Sequence, residues 1–84
     1  MKEYTIDCAR VDGPREFHFV IAKELGVPTW YGNNLDALYD VLTALTEETH
    51  LNFVNFPAFA TGFRRCMEDA QKANSMLHVT ISPH

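Results

Sequence analysis

Leu51-Asn52-Phe53-Val54-Asn55-Phe56-Pro57 is the stretch from which the fold follows. Leu51 to Phe56 is a nearly unbroken apolar run ended by a proline, which predicts a strand covered on both faces. Parallel strands of that kind are joined by helical crossovers, and helical periodicity stands on either side of this one. Upstream, Leu35, Leu38, Leu42 and Leu45 recur at spacings of three and four, so a helix running to about Leu45 is expected, capped by Asn33 or Asn34. Before it, Phe17, Val20, Ile21 and Leu25 form another such stripe, started by Asp12-Gly13-Pro14 and ended by Gly26 and Pro28. Downstream, Phe59, Phe63, Cys66, Met67 and Ala70 share a helical face, with Gly62 as the point where a short helix can part from a longer one.

The outer strands alternate instead. Tyr4, Ile6 and Cys8 stand opposite Thr5 and Asp7, and Leu77, Val79 and Ile81 opposite His78 and Thr80. The order strand, helix, helix, strand, helix, strand predicts an α/β fold: a small three-stranded parallel sheet packed against three to four helices. Eighty-four residues hold one such core, so a single domain spanning 1–84 is expected.

Composition narrows the class. With 46% hydrophobic and 21% charged residues the chain reads as a folded globule, not a disordered tail. No run approaches the length of a membrane span, and Met1-Lys2-Glu3-Tyr4 opens no secretory signal, so neither a membrane protein nor a secreted precursor is expected. Cys8 and Cys66 are too few for a disulfide scaffold and form no C-x-x-C; both read as reduced, buried thiols, which points to the cytoplasm.

Net charge is −4, and it is unevenly spread. From Glu24 to Phe63 there is no Lys or Arg, while Glu24, Asp36, Asp40, Glu47 and Glu48 are all acidic. Such a segment repels phosphate and attracts a basic partner, so a nucleic-acid-binding role is excluded. On the Leu35–Leu45 helix, Asp36, Tyr39, Asp40 and Thr43 fall opposite the leucine stripe. Asp36 and Asp40 stand at i and i+4, a like-charge pair that costs a helix roughly 0.2–0.5 kcal/mol, with no base in sequence reach to relieve it. An ordinary solvated helix face accounts for such a pair too. The aromatics favour a binding face: Trp30 and Tyr31 precede the helix and Tyr39 sits between the aspartates, the composition of a protein-protein hot spot.

The stretch Trp30-Tyr31-Gly32-Asn33-Asn34-Leu35-Asp36-Ala37-Leu38-Tyr39-Asp40-Val41-Leu42-Thr43 resembles the signature helix of the barstar family, cytoplasmic inhibitors of a secreted bacterial ribonuclease. The resemblance continues backwards through Lys23-Glu24-Leu25-Gly26-Val27-Pro28 and, more loosely, from Glu16; it returns at Val79-Thr80-Ile81 and loosens between Thr46 and Ser75. It implies a barstar-like fold and a non-enzymatic inhibitor that places this helix and the preceding loop in the active-site cleft of a basic, extracellular-type ribonuclease or related toxin. It further implies that Asp40 takes the place of an RNA phosphate among the enzyme's cations, that Asp36 meets another basic group, and that Trp30 and Tyr39 pack at the rim. Tyr31, Gly32, Asn33, Asn34 and Thr43 complete the implied partner-binding set. An acidic residue of a later helix also makes contact in the family, and here either Glu68 or Asp69 can serve. Trp30 stands where the family has tyrosine, Asn33 where it has glutamate and Tyr39 where it has tryptophan, which implies the same type of partner with altered specificity. An immunity or antitoxin role in a bacterial cytoplasm follows, with a monomer when free.

Other chemistry finds less support. Asp36 and Asp40 are near enough for paired acid/base work, but such pairs need a cleft that so small a chain scarcely affords, so no catalytic residues are expected. His18, His50, His78 and His84 show no metal-ligand spacing; no metal and no cofactor are expected, and His18 and His78 read as helix-face and strand-face residues. Arg64-Arg65 reads as part of a solvated helix face, and Phe53, Phe56, Phe59 and Phe63 as core. The competing functional readings are an adaptor of the same fold that binds a basic protein other than a nuclease, and a domain that self-associates. Displacement by mononucleotides distinguishes the inhibitor from the first, concentration-dependent mass from the second.

Overall fold

The computed structural model describes residues 1–27 and 34–83. The elements run β1 (Lys2–Asp7), α1 (Pro14–Leu25), α2 (Leu35–Thr43), β2 (Thr49–Phe56), α3 (Thr61–Ala73) and β3 (Leu77–Pro83). The sheet has the order β1-β2-β3 and both pairings are parallel. The expected α/β architecture is what the chain adopts, with three helices among the described residues.

The central strand departs from expectation. It is covered on one face, not two. Thr49, Leu51, Phe53 and Phe56 are buried, whereas His50, Asn52 and Val54 are only half-buried. The neighbours agree in register: Ile6, Phe53 and Ile81 form a row on the helix side, while Glu3, His50 and His78 form a row on the open side. Right-handed crossovers that step across a sheet in one direction place their helices on the same face, which leaves the other face to polar side chains. Alternation holds until Asn55. Its φ of 56° lies in the left-handed region that asparagine tolerates best after glycine. The resulting register shift between Phe53 and Phe56 turns Phe56 back into the core. The Asn55 side chain donates to Asp7 Oδ1 at 3.0 Å, tying the bulge to β1.

The core is built round Phe17 of α1. Its ring stacks on Phe63 of α3 with centroids 4.4 Å apart and planes 8° from parallel. It also meets Phe56 edge-on at 5.5 Å and Phe53 at 5.9 Å, so one aromatic cluster joins two helices to the central strand. His18 is not a surface residue of α1. It is 3% exposed and packs against Phe63 at 4.6 Å. Phe59, by contrast, precedes α3 and is 43% exposed, so it is not core. Gly62 does not divide α3, which is continuous from Thr61 to Ala73. Gly26 ends α1 at φ 69°, with its N–H returned to the last turn, as the sequence predicts.

Candidate functional site

Local sequence starts α2 and a distant residue ends it. Asn34 caps its N-terminus, accepting the Ala37 N–H at 2.8 Å. The helix stops at Thr43, short of Leu45, and a carbonyl of its last turn and one just beyond its end are bonded from across the fold. Asn74, just past α3, donates through Nδ2 to the carbonyls of Leu42 and Leu45, both at 3.0 Å, and accepts the Met76 N–H at 3.0 Å. At the other end Cys66 Sγ donates to the Leu35 carbonyl at 3.4 Å. Side chains of α3 and its C-cap therefore grip α2 at both ends, and this fixes which face it shows.

Leu38 and Leu42 are fully buried. Leu35 and Leu45 do not complete the stripe: Leu35 lies at the rim with 36% exposure, and Leu45 is partly buried beyond the helix end. Opposite the buried pair, Asp36, Tyr39 and Asp40 are exposed, as expected. Thr43 is half-buried, and its hydroxyl donates back to the Tyr39 carbonyl at 2.8 Å, so it is committed to its own helix. The ion pairs among the described residues are Lys2–Glu47, His50–Glu3 and His78–Glu48; none involves Asp36 or Asp40. Both carboxylates are exposed and have no ion-pair partner among the described residues. Trp30, Tyr31, Gly32 and Asn33 lie outside the described residues.

Beside this crest runs a shallow groove of about 290 Å³ between α2 and α3, lined by Leu35, Asp36, Tyr39, Gly62, Arg65, Cys66 and Asp69. The approach is close, since a Cβ at Gly62 would meet Leu35 Cδ1 at 3.3 Å. The α3 wall is one helical stripe, and it separates the two acidic candidates: Asp69 lines the groove with Asp36, and Glu68 does not. Burial pushes the Cys66 thiol above its ordinary value, and the nearby charges of Asp69 and then Asp36 push it further the same way. The thiol is therefore protonated at neutral pH and no nucleophile. Sequence reading missed Arg65, which the fold brings beside Asp36 although no base is near it in the chain. The period of Gly62, Arg65, Cys66 and Asp69 was the available sign, but it names a stripe and not what the stripe faces. Arg64 takes another course, with its guanidinium 5.7 Å from the centre of the Phe56 ring.

Among the described residues no three His, Cys, Asp or Glu gather as metal ligands do, and no helix is long and apolar enough to cross a membrane. Both cysteines are free thiols. A sheet layered with helices on one side, presenting a bare acidic helix face beside an open groove, has the make-up of a protein-recognition module. A family model described as Barstar (barnase inhibitor) matches residues 1–81, and the chain belongs to the Barstar family. The match includes the segment between Thr46 and Ser75, where the resemblance of the sequence was loosest. Members of this family are inhibitors and not enzymes.

Proposed function

We propose that this protein inhibits a small basic ribonuclease of the barnase type by laying α2 over its active site, with Asp40 and Asp36 standing in for RNA phosphate. The observation that carries the reading is the exposed aspartate couple, without an ion-pair partner among the described residues, on a helix hydrogen-bonded by side chains at both ends. A carboxylate that makes no ion pair within its own chain has none to break when it meets an external cation, and its field speeds encounter with a cationic enzyme. Tyr39 flanks the pair and Asp69 supplies the later acidic contact, since it shares the groove with Asp36 whereas Glu68 does not. Trp30, Tyr31, Gly32, Asn33 and Asn34 belong to the same contact surface on sequence grounds, Asn34 chiefly as the cap. Thr43 contributes through packing, because its proton is already engaged. In this reading the free protein is a monomeric single domain that protects a bacterial cytoplasm from its own or a neighbour's toxin.

The test is competition. A complex with a barnase-type ribonuclease, formed at stoichiometric ratio, is titrated with a nucleoside monophosphate. Release of the inhibitor in proportion to nucleotide occupancy supports occupation of the active site. A complex indifferent to saturating nucleotide sinks the mimicry and favours an adaptor that binds elsewhere.

A further inference from the structure

We propose that Arg65 is a specificity-determining residue, which pairs with a carboxylate that the bound nuclease places in the groove between α2 and α3. The inference rests on the reading of α2 as the inhibitory face. Arg65 is exposed on the α3 wall, beside Asp69 and across from Asp36 and Tyr39. Two carboxylates thus share its groove, yet among the described residues none lies within the 4.0 Å of an ion pair. The fold holds an acid, a base and an acid side by side without letting them neutralise one another.

That pattern has a defined complement: a carboxylate flanked by cations. Leu35, Gly62 and Cys66 line the same groove, so a partner side chain that pairs with Arg65 also covers apolar surface there. A guanidinium offers two parallel N–H donors matched to the two oxygens of a carboxylate, which gives orientation as well as attraction. The groove, of about 290 Å³, has room for a side chain. A partner that is cationic throughout meets like charge at Arg65. Arg65 therefore rejects such a surface and accepts one that carries an acid among its bases.

The test reads the sign of an effect. Affinity is measured for wild type, Arg65→Ala, Arg65→Glu and Asp40→Ala against a panel of barnase-type ribonucleases, at two salt concentrations. A solvated bystander arginine on a face that meets a cationic enzyme is a liability, so its removal tightens binding and speeds association. The proposal requires the reverse: Arg65→Ala weakens binding about tenfold or more, and Arg65→Glu weakens it further. A double-mutant cycle against the acidic residues of the enzyme's contact surface then finds one whose loss abolishes the Arg65 effect. Unchanged or tighter binding in both Arg65 variants overturns the proposal while a collapse in Asp40→Ala leaves the inhibitory reading standing. An Asp40→Ala variant that binds normally, or a wild type that binds no member of the panel, removes both together.

Discussion

Replacing Asn74 by alanine tests whether α2 is held from α3 as the geometry indicates. Asn74 makes three side-chain hydrogen bonds, two donated to the carbonyls of Leu42 and Leu45 and one accepted from the Met76 N–H, each at 3.0 Å. At about 1 kcal/mol net for each bond, their loss amounts to roughly 2–3 kcal/mol. For 84 residues, at about 0.05–0.15 kcal/mol per residue, total stability is roughly 4–13 kcal/mol. The variant therefore loses a large share of it, and its midpoint temperature falls by about 10–20 °C. Urea unfolding followed by circular dichroism measures this, with an unchanged slope showing that the same surface is exposed on unfolding. Asn74→Asp sharpens the test. It keeps the acceptor for Met76 but sets a negative charge against two carbonyl oxygens, so it is at least as damaging as alanine. Asn74→Ala within 0.5 kcal/mol of wild type, or Asn74→Asp as stable as wild type, refutes the clamp; the threshold is about the scatter of neutral surface substitutions.

Three further outcomes follow from single contacts. Burial holds His18 below its ordinary value, so the fold favours the neutral ring; its contribution is complete above the unfolded value of 6.5 and is lost as pH falls towards the folded one. Stability measured between pH 7.5 and 5.5 declines in wild type, and His18→Gln flattens that decline; an equal slope in both contradicts the assignment. Asn55→Val forces a β-branched residue to a φ of 56° and removes the bond to Asp7, costing about 1–3 kcal/mol, whereas Asn55→Gly keeps the backbone and costs less. Equal stability of the two variants in urea dismisses the backbone argument. Gln71 Oε1 accepts the Val79 N–H at 2.5 Å on the outer edge of β3, a strand without a Lys, Arg, Asp or Glu. Gln71→Ala frees this edge and raises concentration-dependent association in sedimentation velocity, as unguarded edges do; a variant that stays monomeric at all concentrations speaks against the guard.

Periodicity made the elements legible because the burial of one face is a local pattern. Leu38 and Leu42 on α2, Phe17 and Ile21 on α1, and Phe63, Met67 and Ala70 on α3 are all buried at helical spacing. Gly26 and Asn34 marked their boundaries through backbone and capping chemistry that needs no tertiary context. The one-sided sheet was harder to read. Asn52 and Asn55 carried the signal of an open face, but the bulge at Asn55 breaks the alternation and lets Phe53, Val54 and Phe56 pass for a fully buried run. The crest of the site, Asp36 and Asp40, was readable from one helix. Of its other wall only the acid was foreseen, as Glu68 or Asp69 and through the family resemblance; Arg65 and Cys66 were not, because they meet α2 only once α3 has packed against it.

The most direct measurement is an inhibition titration against barnase-type ribonucleases at low salt, with Asp40→Asn beside wild type. The substitution keeps the shape of the side chain and removes only its charge, and Asp40 has no ion-pair partner among the described residues, so folding is undisturbed. Phosphate mimicry predicts stoichiometric inhibition by wild type and a loss of at least about 2 kcal/mol, roughly thirtyfold, in the variant. Equal inhibition by Asp40→Asn contradicts it.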